Sequence, residues 1–246
     1  MKLNGKVAIV TGGAQGIGEA IARRFVDEGA TVVIGDMNEE LGLATAIKLQ
    51  RKPGEDAFFH QLNVADKHSI VSFVNYALYL FGRIDILINN AGIIKDGLLV
   101  DMSDDDFDAV INVNLRGVKR MTGAVVPTMI AQKSGVILSA SSMVAEGNIG
   151  QTNYAASKAG VESMTRTWAG ELGRYGIRVN AVAPGITDTT MVAGIPDKTR
   201  EYYIKRTPLE RYARPEEIAA AYAFLASEEA SFITGTVLDV NGGLRV

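Results

Sequence analysis

Tyr154 and Lys158 stand four residues apart in the stretch Tyr154-Ala155-Ala156-Ser157-Lys158, a spacing that puts both side chains on one face of a helix. A free phenol titrates near ~10, and a fixed ammonium beside it favours the phenolate and brings the group closer to neutral pH. Tyr154 is thereby a candidate acid or base, with Lys158 as the group that tunes it. An exposed helical pair has the same spacing, so the meaning of these residues depends on what the rest of the chain arranges around them.

The first positioning element is near the start. Lys6 to Val10 is a short apolar run that leads into Thr11-Gly12-Gly13-Ala14-Gln15-Gly16-Ile17-Gly18, and a helical pattern follows through Ala20, Ile21, Ala22, Phe25 and Val26. Strand, glycine turn and helix in this order make a phosphate-binding opening. Glycines let the backbone approach a pyrophosphate, and the N–H groups at the helix start favour its charge. The spacing is GxxxGxG at Gly12, Gly16 and Gly18 rather than GxGxxG. A second strand, Thr31 to Gly35, ends in Asp36, which is placed to accept hydrogen bonds from an adenosine ribose and to repel a 2′-phosphate. Asn38 already offers a cap for the next helix, which leaves Asp36 for the ribose. With Gln15 rather than a basic residue in the loop, the expected cofactor is NAD, not NADP.

A helix from about Asn38 to Arg51 stops at Pro53-Gly54, and Ala57 to Val64 reads as the third strand, with Asn63, Val64 and Asp66 at its carboxyl end as candidates for contact with the adenine. The helix from Lys67 to Phe81 leads to the strand Ile84 to Ile88 and to Asn89-Asn90-Ala91-Gly92, small and amide residues that leave room for a cofactor. Ser103-Asp104-Asp105-Asp106 caps a long helix reaching Gln132, an acidic start that suits the helix dipole. Asn114 lies on an apolar face of that helix and needs partners, either in a structural network or in a site. Val136 to Ala140 is a strand ending in Ser141-Ser142. Ile177 to Ala183 is another, closed by Pro184-Gly185. Residues 186–207 carry Met191, Val192, Ile195, Tyr202, Tyr203 and Ile204, the pattern of a mobile lid over an apolar pocket or of a subunit contact. A helix from Pro215 to about Ala226 and a strand from Thr236 to Val240 complete an alternation that predicts one doubly wound α/β domain over residues 1–246, its seven strands parallel.

Composition narrows the functional classes. A net charge of −3 and a pI near 5.5 give no basic footprint for nucleic acid or an anionic membrane. No apolar run approaches the roughly 18 residues of a membrane helix, and Gly12 and Gly13 cut the first one short, as a strand rather than a signal sequence. A soluble, cytoplasmic protein is expected. The chain has no Cys, and its two histidines, His60 and His68, sit in no ligand motif, so no metal site is expected.

Taken in order, the TGGAQGIG loop from Thr11, the NNAG run from Asn89, Asn114, a serine after the fifth strand, Tyr154 with Lys158, Pro184-Gly185 and Val240-Asn241-Gly242-Gly243 resemble the short-chain dehydrogenases/reductases over essentially the whole chain. The likeness is greatest to 3-oxoacyl-[acyl-carrier-protein] reductase-like members. The resemblance implies a Rossmann-type domain with helices on both faces, and a homotetramer.

It also implies roles. Tyr154 exchanges a proton with the substrate oxygen while a nicotinamide gives or takes hydride, and Lys158 holds the nicotinamide ribose and lowers the Tyr154 pKa. The serine hydrogen-bonds the substrate oxygen, and Asn114 holds a water linking Lys158 to solvent. Gly12, Gln15, Gly16, Ile17, Gly18, Asp36, Asn63, Val64, Asn90, Ala91 and Gly92 line the adenosine and pyrophosphate end, and Pro184, Gly185, Thr187 and Thr189 the nicotinamide end. Asn63 stands where the family usually has Asp, and Thr187 where a branched aliphatic residue is common. Counting back from Tyr154 by the usual family interval lands on Ser141, whereas counting forward from Asn114 lands on Ser142. The second count is preferred, because the Met143 to Ile149 loop tolerates a deletion better than a buried strand does. The expected activity is NAD(H)-dependent interconversion of a small or medium apolar alcohol and its carbonyl. An acyl-carrier reductase is the alternative, favoured by Gly147-Asn148 and Gly150-Gln151-Thr152-Asn153, and a nicotinamide-binding regulator without turnover is the rival from another class.

Overall fold

The computed structural model describes residues 1–52, 54–193 and 196–244. Pro53, the expected stop of the second helix, and Ile195, in the expected lid, lie outside the described residues, as does the side chain of Met191.

All seven strands join one parallel sheet in the order β3-β2-β1-β4-β5-β6-β7. They are β1 (Val7–Thr11), β2 (Thr31–Asp36), β3 (Ala57–Gln61), β4 (Ile86–Asn89), β5 (Gly135–Ala140), β6 (Ile177–Pro184) and β7 (Val237–Val240). The helices between them are α1 (Gly16–Asp27), α2 (Glu39–Leu49), α3 (Lys67–Phe81), α4 (Asp104–Ile111), α5 (Val118–Gln132), α6 (Thr152–Leu172), α7 (Asp197–Arg206) and α8 (Pro215–Ala226). Helices cover both faces, which is why β1 and β4 are apolar and buried without alternation. One core contains Phe25 of α1 and Tyr222 of α8, the other Phe73 of α3, Met121 of α5 and Leu172 of α6. The chain runs outward from β1 to β3 and then returns to β4 beside β1. The crevice for a ligand in such a sheet lies at the carboxyl ends of these two strands. Among the described residues no helix is long and apolar enough to cross a membrane.

Several features differ from the expectation. β3 stops at Gln61, because Asn63 folds back and its Oδ1 accepts the Ala65 N–H at 2.9 Å. β4 starts at Ile86, because the Asp85 side chain accepts the Val7 N–H at 2.8 Å and is gripped by Arg83. The long helix from Ser103 to Gln132 is interrupted by a π-helical turn at Asn112–Gly117. The segment expected as a lid holds secondary structure of its own, a 3-10 turn at Thr190–Val192 and α7.

Candidate active site

Tyr154 sits in the first turn of α6, directly beyond the carboxyl end of β5. The start of this helix is anchored by Asn153, fully buried, whose Nδ2 donates to Lys95 O at 2.8 Å in the loop after β4. One turn on, Lys158 is 4% exposed and its Nζ lies 5.3 Å from the centroid of the Tyr154 ring. That ammonium donates to Ala140 O at 2.7 Å. Burial lowers the Lys158 pKa to about 8. Burial also raises Tyr154, to about 12, against a hydrogen bond from Ser142 that favours the phenolate, with Asp96 adding to the rise. The direction of the Tyr154 shift is thus set first by burial, opposite to the lowering expected of Lys158. Lys158 is buried and Tyr154 half-buried, and the ammonium is directed at a carbonyl.

The two serines after β5 diverge. Ser141 is buried and its Oγ donates to Glu162 Oε1 on α6 at 2.8 Å, while Ser142 Oγ accepts the Val144 N–H at 3.4 Å and lies on the side of Tyr154, whose phenolate it favours. Asn114, in the π-helical turn, is 0% exposed. Its Oδ1 accepts the Ile93 N–H and its Nδ2 donates to Ile93 O, both at 2.9 Å, with Ser157 Oγ at 3.4 Å. Ser157 Oγ in turn donates to Tyr154 O at 2.7 Å. Asn114 thus joins the loop after Gly92 to the helix that carries Tyr154 and Lys158.

The glycine loop meets β4 at close range. Gly12 has φ of +63°, and a Cβ there would lie 2.8 Å from Ala91 Cα; one on Gly18 would lie 2.0 Å from Gly12 O. Asn90 does not line an open crevice with its amide. Its Nδ2 bridges Thr11 O at 3.1 Å and Gly12 O at 3.0 Å, so it shapes the loop. Gly16 and Ile17 open α1, whose cap residue Gln15 makes no side-chain cap bond, which leaves the first N–H groups of the helix for an anion. The Asp36 carboxylate accepts the Ala14 N–H at 3.2 Å and the Asn38 N–H at 3.0 Å. Asn63 makes the turn already described, and Val64 is buried against Gly117. A Cβ on Gly92 would touch Asn114. Beyond Pro184, Gly185 N–H donates to Val240 O at 3.0 Å, and Thr187, buried, donates to Gly185 O at 3.1 Å. Thr189 lies over Gly16, and Thr190 Oγ1 donates to Gln15 Oε1 at 3.3 Å. The segment after β6 therefore closes on the glycine loop.

Three contributors were given no role of their own in the sequence reading. Thr11 Oγ1 accepts the N–H groups of Asn90 and Ala91, each at 3.0 Å, and the strand-end threonine could have been flagged as a hydroxyl facing the crevice. Asn153 had a signal as an amide beside Tyr154 at a helix start. Asp96 had none, since its position follows from the fold of two distant loops.

A family model described as Enoyl-(Acyl carrier protein) reductase matches residues 12–245. The chain is 50% identical over 248 residues to 3-oxoacyl-[acyl-carrier-protein] reductase FabG of Thermotoga maritima, covering 100% of each chain. It is 44% identical over 245 residues to the protein of the same name from Vibrio harveyi, covering 99% of each. Among solved structures, the crystal structure of gox2181 superposes with a TM-score of 0.95 at 36% identity, over 98% of this chain and 96% of that one. Levodione reductase superposes with a TM-score of 0.94 at 36% identity, over 98% of each.

Proposed function

Since the chain belongs to the short-chain dehydrogenase/reductase family and is an oxidoreductase of CH–OH groups, we propose that it reduces 3-oxoacyl thioesters of acyl carrier protein with NADH. The observation that carries the substrate is the whole-length identity of 50% to a 3-oxoacyl-[acyl-carrier-protein] reductase. Of the two substrate expectations, the narrower one is thereby preferred over a small free alcohol.

The residues fit a dinucleotide. The start of α1 lacks a side-chain cap, the loop before it is built of glycines that cannot take a Cβ, and Asp36 stands at the end of β2. In this reading Gln15, Gly16, Ile17 and Gly18 hold the pyrophosphate, Asp36 the adenosine ribose and Lys158 the nicotinamide ribose. Asn63, Val64, Ala91 and Gly92 line the way between, and Pro184, Gly185, Thr187 and Thr189 cover the nicotinamide. When bound, the nicotinamide supplies the hydride. Tyr154, protonated at neutral pH with a pKa of about 12, gives its proton to the ketone oxygen. Ser142 donates to the same oxygen and stabilises charge as it develops. Asn114, with both main-chain groups of Ile93 on its amide, keeps the loop after Gly92 against α6.

The test is turnover of a 3-oxoacyl thioester beside simple ketones and alcohols, each with NADH and NADPH or their oxidised forms. Thioester reduction with a kcat/KM at least about tenfold above that of a simple ketone is expected, a step of about 1.4 kcal/mol. Higher efficiency with a free ketone or alcohol would transfer the assignment to the second reading, a small apolar alcohol or carbonyl. Asp36 favours that second reading, because biosynthetic reductions usually draw on NADPH.

A further inference from the structure

Asp96 stands in the loop after β4, and the Gln151 side chain grips both of its oxygens, Nε2 lying 3.1 Å from each. The other end of that amide accepts from Asn148 Nδ2 at 2.9 Å. The two loops are joined through the main chain as well, Gly97 N–H donating to Gly150 O at 2.8 Å. Gln151 is the cap residue of α6, so the carboxylate is fixed beside the turn that carries Tyr154, and its charge acts on that phenol. Lys95, its sequence neighbour, turns instead to Asp106 at 2.5 Å, and among the described residues Asp96 forms no ion pair. Lys158 is buried with its Nζ on Ala140 O.

A 3-oxoacyl group bound with its ketone oxygen at Tyr154 and Ser142 places its C1 carbonyl two bonds from the reacting carbon. In a thioester that carbonyl is neutral, whereas in the free acid it is a carboxylate. Resting on the thioester reading above, we propose that Asp96 is a specificity-determining residue that repels free 3-oxo acids and so restricts reduction to their neutral thioesters. Selection against the wrong substrate comes from a like-charge contact rather than from an added attraction for the right one.

The experiment compares kcat/KM for acetoacetate with that for a neutral acetoacetyl thioester in the wild type, Asp96→Asn and Asp96→Glu. Asp96→Asn should raise the acetoacetate value about tenfold relative to the thioester value, a change of about 1.4 kcal/mol in the ratio. Asp96→Glu keeps the charge and should keep the exclusion. Raising ionic strength from about 0.05 to about 0.5 M screens the charge and should improve acetoacetate turnover in the wild type but not in Asp96→Asn. If Asp96→Asn fails to fold or turns over neither substrate, the salt response of the wild type decides. An unchanged ratio in Asp96→Asn, or a wild type indifferent to salt, overturns the inference while leaving the thioester assignment intact. A wild type that reduces neither compound defeats the thioester assignment itself.

Discussion

Ser141 turns its hydroxyl into the protein, onto Glu162 Oε1 at 2.8 Å, which takes it out of reach of a substrate oxygen. Ser142, the next residue, accepts the Val144 N–H at 3.4 Å and acts on the Tyr154 phenol in the direction that favours its phenolate. Ser142→Ala should therefore lower kcat about a hundredfold or more, the usual effect of losing one donor to developing charge. Ser141→Ala should instead cost about 1–3 kcal/mol of stability, from the lost bond to a charged group, with turnover near that of the wild type. Steady-state kinetics with thermal unfolding separates the two. A dead Ser141→Ala beside an active Ser142→Ala would reverse the assignment.

Asp36 should make NADH at least about tenfold more efficient than NADPH, which is one step of about 1.4 kcal/mol. Asp36→Asn keeps an acceptor for the Ala14 N–H but removes the charge, so it should narrow the preference mainly by lowering KM for NADPH. Equal kcat/KM for both cofactors in the wild type would rule out the ribose role.

Lys158 predicts how stability varies with pH. Its pKa falls from 10.5 to about 8 on folding, so between those values the unfolded chain binds a proton that the folded chain does not. Stability rises with pH where this holds. Relative to Lys158→Met, which has no such proton, the wild type should gain on the order of 3 kcal/mol between pH 8 and 10.5. Denaturant melts of both proteins across that window test it, and parallel pH profiles would count against burial as the cause.

Gly18→Ala and Gly123→Ala form a contrasting pair. A Cβ on Gly18 would press on Gly12 O at 2.0 Å and Asn90 Nδ2 at 2.7 Å, so the loop must open. A loss of about 1–3 kcal/mol is expected, together with weaker NADH binding. A Cβ on Gly123, inside α5, meets nothing within 4 Å, and that variant should gain roughly 0.5–1 kcal/mol from the stiffer unfolded chain. Thermal shifts of the same sign in both variants would contradict the packing argument.

The strand and helix order was legible because the strands carry unbroken apolar runs bounded by Gly, Asn and Ser, and because the caps at Asn38 and Ser103 use their own side chains. Tyr154 and Lys158 could be paired from helical spacing alone. The direction of the Tyr154 shift could not, because it depends on how deeply both groups are buried and on where Lys158 sends its ammonium. Asn90 was read as leaving space for a cofactor, and the bonds of its amide to the loop after β1 could not be seen in the sequence, because they join residues far apart in the chain. The interruption at Asn112–Gly117 was equally hidden, since each of those residues is compatible with a regular helix.

That interruption has a mechanical consequence. A helix turns about 100° for each residue, and a π turn carries one extra, so the chain beyond it is rotated by about that angle. α4 and α5 are in effect two arms of a crank: α4 packs on α6, while α5 packs on α3 and β5. A straight rod with a single apolar stripe could not serve both surfaces. Excising one residue from the turn would restore a continuous ladder, yet it would swing α4 off α6 and draw Asn114 away from Ile93.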